Sequence, residues 1–348
     1  MDFAFSEEQE MLRTAARSWL KAQYPPDRAA GLADSEQGWD PQSWRELERL
    51  GWLDPDLSML EYAVLAEEAG YALYPGPWWS TVGLAGPVLG RLPSTPTTLA
   101  WADSAAADLR SAAISTATTA TGSGGTWTLS GTKLLVPDLA ISESVLVVAA
   151  AEGGTGIWRL DVPTDAVLPV STMDKTRRLA ELRLDSAAAE LIVEPGAAGN
   201  ALAAVRRRSV ALLSCEAVGI AQWALDTSST HAKERLQFGR PIGSYQGVSH
   251  QIADVYTSLQ LSRSLAYRAA WAVDTGAEDV EEAVTVAAVA AGPCAVQACE
   301  SAMQVLGGIG FTWDHPLHRF YKRAQWITGF DGTGQSRRAE IAAALLDR

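Results

Sequence analysis

Three short segments in the C-terminal third of this 348-residue chain hold residue types that could grip a nucleotide and move a proton. In Arg235-Leu-Gln237-Phe238-Gly239, followed by Gln246, a guanidinium, a flat ring and a glycine lie within five residues. Arginine offers a fork of donors that matches a diphosphate. Phe238 offers an apolar face to a ring, and Gly239 lets the backbone turn closely around a ligand. Gln246 has the amide to bond a ribose or a phosphate. The second segment, Gln304-Val-Leu-Gly307-Gly308-Ile-Gly310-Phe-Thr312, packs three glycines behind an amide. A helix C-cap explains one glycine; three allow close backbone approach to a nucleotide. The third, Phe330-Asp331-Gly332-Thr333-Gly334-Gln335, supplies one carboxylate. A carboxylate suits removal of a proton acidified by a neighbouring carbonyl, because burial can raise its pKa. Each segment also has a plainer reading. The first is then a helix–helix loop with a surface arginine, and Asp331 a polar loop or cap residue.

The elements that must position these residues fall into three zones, an α+β arrangement. Residues 1–95 read as helices. Ser6 with Gln9 forms a capping box ahead of an apolar stripe. Further helices are predicted near 41–50 and 58–69, before Pro75, Gly76 and Pro77 break the chain. Residues 96–195 turn to Thr, Ser, Gly and Val and read as a small antiparallel β domain. Two short strands over 127–136 are predicted to join at Ser130-Gly131, with others at 144–150, 156–162, 179–184 and 190–193. Residues 196–348 return to helix. Long runs at 201–233, 246–275 and 277–306, the last with Pro293 as a kink, and a short one at 336–346 predict a four-helix bundle.

Composition narrows the functions. The apolar fraction of 47% and charged fraction of 20% are those of an ordinary globular protein. No unbroken apolar run suggests a membrane span. The start, MDFAFSEEQE, is acidic and lacks an apolar signal core, which predicts a cytoplasmic protein. Three cysteines without CxxC spacing predict neither a disulfide framework nor a metal site. A net charge of −13 argues against nucleic acid, whose binding rests on neutralising phosphates. The thirteen tryptophans read as large rings filling core and interface.

The order helices, β unit, helical bundle, together with these motifs, resembles the acyl-CoA dehydrogenase family. Arg235–Gln246 is similar to the family's R-x-x-F-G…Q segment, and Gln304–Thr312 to its Q-x-x-G-G-x-G-[YF]-T segment. The resemblance implies that Arg235, Gln237, Phe238, Gln246, Gln304, Gly307 and Gly308 hold the FAD of a neighbouring subunit. Phe330–Gln335 resembles Y-E-G-T-x-Q, where the Glu removes the α-proton of the thioester and Thr and Gln contact the diphosphate. By resemblance Thr333 and Gln335 take the latter roles, and Asp331, one methylene shorter, stands where the base would be. Relatives that carry the base on the first bundle helix would have it at Ser209, followed by Val210 in place of Arg. Glu216 nearby reads as a packing or interface residue. Arg206–Arg208 could meet CoA phosphates, or form a solvated face, which is the favoured reading.

One departure concerns the flavin ring. The family's N-G-x-K-x-W-I-T segment lies against that ring, and here it reads Ser130-Gly131-Thr132-Lys133-Leu134-Leu135-Val136-Pro137. The turn and Lys133 match; the W-I-T donors do not, since proline has neither N–H nor hydroxyl. By resemblance, Leu99–Asp103 stands in the place of a further flavin-contacting segment. The chain thus resembles the shorter subunit of heteromeric bacterial acyl-CoA dehydrogenases of sterol side-chain degradation. Such a subunit completes the FAD site of a longer partner and acts on an acyl-CoA, with an electron-transferring flavoprotein as the expected acceptor. A self-sufficient homodimer or tetramer using Asp331 as base, and a non-catalytic CoA-binding scaffold, are the alternatives.

Overall fold

The computed structural model describes residues 5–105, 107–123 and 125–346. The first four residues of the acidic start therefore lie outside the described residues. Along the chain the helices are α1 (Glu7–Gln23), α2 (Pro26–Asp34), α3 (Gln42–Arg49), α4 (Met59–Tyr71), α5 (Gly86–Leu89) and α6 (Leu109–Ile114). After the strands come α7 (Ala198–Glu234), α8 (Gln246–Thr275), α9 (Val280–Leu306), α10 (Leu317–Gly329) and α11 (Gly334–Leu346). The chain packs as two compact units. One takes Met1–Asp34, Leu57–Tyr74 and Val210–Arg348; the other takes Ser35–Asp56 and Pro75–Ser209.

Local chemistry explains the helix starts of the first unit. The Ser6 hydroxyl accepts the Gln9 N–H at 3.2 Å while the Gln9 side chain accepts the Ser6 N–H at 3.1 Å. Ser58 and Glu61 repeat the box ahead of α4. The predicted run 246–275 coincides with α8. The structure adds a helix to the predicted bundle: α10 stands between Gly307–Gly310 and the 329–334 turn, where the sequence reading placed none. It buries Leu317, Phe320, Ala324 and Ile327 along one stripe, the spacing of an amphipathic helix. α2, which opens on a proline, also went unread. The run Val280–Phe311 is long and apolar enough to cross a membrane, yet 56% of its apolar window is buried, as befits the core helix of a bundle.

The unit is keyed on a backbone-to-backbone crossing. A Cβ added to Gly70 of α4 would come within 2.1 Å of the Glu216 carbonyl oxygen of α7. A Cβ on Gly219 of α7 would come within 1.9 Å of the Glu67 carbonyl oxygen of α4. The contact is reciprocal, since each helix carries Glu-x-x-Gly and each glycine receives the other helix's glutamate carbonyl. The glutamate side chains then reach outward. Glu67 accepts from Arg263 at 3.0 Å and Tyr267 at 2.8 Å on α8, and Glu216 pairs with Arg323 of α10 at 2.5 Å. Glu68 holds Arg17 of α1 through two bonds of 2.8 Å.

In the second unit seven strands, β1 (Thr97–Ala100), β2 (Thr119–Ser123), β3 (Thr126–Pro137), β4 (Ser144–Ala151), β5 (Gly154–Asp161), β6 (Val167–Val170) and β7 (Leu179–Val193), form one sheet. Pairings β4–β2, β2–β3, β3–β7, β7–β5 and β5–β4 close a ring, with β1 on β4 and β6 on β7. Most are antiparallel, but β1 and β2 pair with β4 in parallel. Leu129, Val136, Val145, Val147, Trp158 and Leu182 fill the core. The predicted turn at Ser130-Gly131 is instead a bulge inside the continuous β3, where the register with β7 slips between Leu129 and Gly131. Gly131 has φ +142° and faces Thr118, whose Cα an added Cβ would approach to 2.8 Å. The hairpin turn falls earlier, beyond the Ser123–Thr126 pair. The stretches predicted at 179–184 and 190–193 are one strand.

Gly219→Ala is expected to destabilise the protein by about 3 kcal/mol or more. Helix propensity favours alanine by only about 1 kcal/mol, whereas the added methyl must push two backbones apart. Gly199→Ala on the same helix, with open space around its Cβ, should be neutral or slightly stabilising. Chemical denaturation of both variants decides the point.

Candidate functional site

The Arg235 segment is a preformed loop. Its N–H closes the last turn of α7 on the His231 carbonyl at 2.8 Å. β8 (Leu236–Gln237) and β9 (Arg240–Pro241) then pair as a miniature hairpin. The two turn residues both have positive φ, +52° at Phe238 and +79° at Gly239, as a two-residue hairpin turn demands. Glycine accepts this freely; a phenylalanine there is strained by roughly 1–3 kcal/mol. Phe238 is nonetheless 92% exposed. Tyr245 braces the loop. Its hydroxyl donates to the Gln237 carbonyl at 3.0 Å, and the Arg240 guanidinium lies 4.1 Å over its ring. Arg235, Gln237 and Gln246 are all exposed.

At the end of α9, Gly307 takes φ +64° and ψ −137°, a conformation that suits glycine. Gly310 is buried, and a Cβ there would meet the Met303 carbonyl oxygen at 2.9 Å. Gly308 differs: it is exposed, and nothing lies within 4 Å of an added Cβ. No contact inside the chain requires glycine at 308, and the space above its backbone is open. Gln304 is exposed one turn earlier. His315, three residues past the Gln304 segment, lies near the end of α7 that leads into Arg235. His315 is held below the ordinary imidazole pKa by burial and by His231 on the last turns of α7. Its ring also lies 6.2 Å from Trp223 of α7, which stacks on Phe320 at 3.7 Å.

The third segment forms the α10–α11 turn. Phe330 is buried, Asp331 is half-buried with φ +55°, and Gly332 has φ +110°. The buried Arg337 fastens the turn by donating to the Phe330 carbonyl and, at 3.3 Å, to the Thr328 carbonyl. Thr333 caps α11: its hydroxyl accepts the Ser336 N–H at 3.1 Å, and the Ser336 hydroxyl accepts the Thr333 N–H at 3.0 Å. Gln335 is exposed. This turn is not brought to the other two segments. Gly292 of α9 packs against Thr328, with an added Cβ 3.0 Å from its hydroxyl. The turn therefore stands fourteen residues up α9 from Leu306, roughly 20 Å along a helix.

In the β unit, Lys133 is fully buried and spent internally. Its ammonium reaches Asp103 Oδ1 at 2.6 Å, Thr116 Oγ1 at 2.7 Å and the Trp101 carbonyl at 3.1 Å. Asp103 also accepts from Thr116, Thr118 and the Ala117 N–H. Burial pushes the Lys133 pKa down to about 8, against the pull of Asp103. Burial pushes Asp103 up, but the Lys133 ammonium and Thr116 hydroxyl outweigh it and leave the carboxyl below its usual range. Leu99–Asp103 thus ends in the partner of Lys133. Leu135 has φ +54° at a second β3 bulge, Val136 sits in the ladder opposite Ala180, and Pro137 contributes only a carbonyl, bonded to Thr98 at 2.7 Å.

Among the remaining sequence readings, Ser209 is buried and its carbonyl accepts the Trp79 indole N–H at 3.2 Å. Glu216 is the packing residue expected of it, paired with Arg323. The favoured solvated face at Arg206–Arg208 fails at Arg206, which is 3% exposed. The three cysteines are free and buried, and no metal-binding cluster occurs among the described residues. The acid pair Glu67-Glu68 was not read from the sequence, although two adjacent carboxylates in an apolar helix were a visible sign.

The fold is that of butyryl-CoA dehydrogenase from Megasphaera elsdenii, with a TM-score of 0.89 at 21% identity over 99% of this chain and 100% of that one. A variant of the Tcur3481-Tcur3483 steroid ACAD is similar at TM-score 0.86 and 26% identity, covering 98% of both chains. The profile described as "Acyl-CoA dehydrogenase, C-terminal domain" matches residues 204–346. Acyl-CoA dehydrogenase IpdE2 of Mycobacterium tuberculosis is 31% identical over 333 residues, 91% of this chain and 91% of that protein. This chain belongs to the acyl-CoA dehydrogenase family, a family of oxidoreductases, and is similar across nearly its whole length to enzymes named for that activity.

The Lys133–Asp103 pair yields a test. Asp103→Asn leaves a buried ammonium with neutral acceptors and is expected to cost about 3 kcal/mol at pH 6. The folded Lys133 pKa lies below its unfolded value near 10.5, so the unfolded state binds more protons between the two and stability rises with pH there. Removing Asp103 lowers the folded pKa further and opens this window below pH 8. The deficit of Asp103→Asn against the wild type should shrink by pH 9–10, as urea unfolding at both pH values would register.

Proposed function

We propose that this chain is the partner subunit of a heteromeric, FAD-dependent acyl-CoA dehydrogenase that forms a double bond between the α and β carbons of an acyl-CoA thioester. The observation that carries the reading is the separation of the two groups of candidate residues. Arg235, Gln237, Phe238, Gln246, Gln304, Gly307 and Gly308 lie around the ends of α7 and α9. Asp331, Thr333 and Gln335 stand roughly 20 Å up α9, too far for both groups to grip one diphosphate. They fit halves of two different cofactor sites, each completed by another subunit.

The first group fits an adenosine diphosphate. Arg235 is free to pair with a phosphate, the strained Phe238 ring is already displayed, and the space above Gly308 admits a nucleotide against its backbone. The half that should hold the isoalloxazine ring fits poorly. Lys133 is committed to Asp103, Val136 to the ladder, and Pro137 has no donor. FAD, when bound, supplies the acceptor for the β-hydride. This chain's contribution is to bind and orient the far end of a partner's cofactor. The partner, a longer family member with Glu at the position of Asp331, removes the α-proton. The likeness to a steroid ACAD supports a steroid-derived acyl group, and an electron-transferring flavoprotein is the proposed acceptor, in a cytoplasmic setting.

A second reading, a self-sufficient enzyme, rests on Asp331 being half-buried in a turn that Arg337 fixes. Both are tested in the chain co-expressed with its longer relative. Arg235→Ala should weaken flavin retention about 10- to 100-fold, the worth of a charge-assisted bond, without changing the melting temperature. Asp331→Asn should leave turnover within about twofold. Loss of turnover in Asp331→Asn with flavin still bound would favour the second reading, and a lone chain that is yellow and bleaches with acyl-CoA would refute the first.

A further inference from the structure

Of the thirteen tryptophans, Trp313 is the one that remains exposed, at 77%. It does not stand alone. Phe311 is 73% and Ile309 51% exposed, so three large apolar side chains project from alternate positions just beyond the Gly307–Gly310 turn. Phe238 and Leu236 are exposed as well, on the loop that follows α7, near whose end His315 lies. Isolated exposed apolar residues need no explanation, but a contiguous aromatic group does.

The group is held in place. The His318 ring meets Trp313 edge-on at 4.6 Å, and the Lys322 ammonium lies 4.5 Å over its face. The indole is thus clamped before anything binds it, and association loses little rotamer freedom there. Residues 231–245 and 309–322 carry Lys233, Arg235, Arg240, Arg319 and Lys322 against Glu234 and Asp314, in a chain of net charge −13, and of these cations Arg319 already pairs with Asp34. Burial, then Lys322 and Arg319, hold His318 below the ordinary imidazole pKa, a second sign of a positive field.

We infer that Trp313 is the anchor by which this chain docks an acyl-CoA dehydrogenase partner, one that presents an apolar recess for the indole and carboxylates around it for Lys322. The inference rests on the partner-subunit reading and names the contact that holds the pair, as distinct from the residues that hold the cofactor. A tryptophan that becomes buried on association, flanked by a cation, is the kind of residue that dominates an interface. The local excess of cations selects a partner face of opposite sign over another basic one.

The test is the dissociation constant of this chain with its longer, co-expressed acyl-CoA dehydrogenase relative, measured by sedimentation at two salt concentrations. Trp313→Ala should weaken the pair about 30-fold or more, the scale of an interface hot spot. Trp313→Phe should recover most of that. Lys322→Gln should weaken the pair modestly and flatten its salt dependence. The melting temperature of the separate chain should not move, because Trp313 is exposed. A Trp313→Ala pair as tight as the wild type overturns the anchor. If Arg235→Ala still releases flavin from that pair, the shared-cofactor reading survives it. Self-association of the wild-type chain that Trp313→Ala abolishes, with no binding to the longer relative, overturns the choice of partner in favour of a second copy. No association of either kind overturns both readings.

Discussion

The helical unit depends on the crossing of α4 over α7, where Gly70 and Gly219 let two backbones touch. Helices normally pack 8–10 Å apart, kept there by their side chains. Here each glycine receives a carbonyl from the other helix, and no larger residue fits. Such contact brings the glutamates beside it into a desolvated interior, where an unpaired carboxylate would be costly. Glu67, Glu68 and Glu216 are accordingly met by Arg263 and Tyr267, Arg17 and Arg323. The partners come from α8, α1 and α10, so one steric constraint and its electrostatic consequence fix the positions of five helices.

The candidate residues stand on the ends of those fixed elements. Arg235 follows the last residue of α7, Gly307 follows the last residue of α9, and Phe330 follows the last residue of α10. Helix ends are where backbone groups lack intrahelical partners and where the chain can leave the regular conformation. The non-glycine residues with positive φ in this unit include Phe238 and Asp331, each in one of these connections. Strain of this kind persists only when rigid surroundings impose it. Around Phe238 the surroundings are Tyr245 and the two-residue ladder; around Asp331 they are Arg337 and the Thr333–Ser336 cap.

The β unit spends its polar groups differently. A lysine and an aspartate thirty residues apart close on each other with three further donors. That network ties the end of β1 to β3 and to the approach to β2. The result is a Lys133–Asp103 network satisfied from within, with few spare donors along Leu135–Pro137. In the helical unit the reverse holds, with exposed guanidinium, amide and aromatic groups left at the helix ends.

What the sequence determined by itself was whatever local chemistry dictates. The capping boxes at Ser6, the extent of α8, and the order and residue types of the three motifs are all readable because they involve neighbours within a few positions. Tertiary structure decided the rest. Ser130-Gly131 looks like a turn, but Gly131 is required by Thr118 on the next strand, so the chain runs straight on. α10 hides between two glycine-rich breaks because its stripe is short and is completed only against α9. Lys133 and Arg206 have no sequence neighbours that reveal burial, and the partner of Lys133 is 30 residues away; Glu216 was readable as a packing residue, but its partner Arg323, 107 residues away, was not. The resemblance assigned the two halves of the candidate site to different subunits, but local sequence chemistry did not separate them. Residues 304–335 form one continuous stretch of sequence, and only the length and direction of α10 carry its two ends apart.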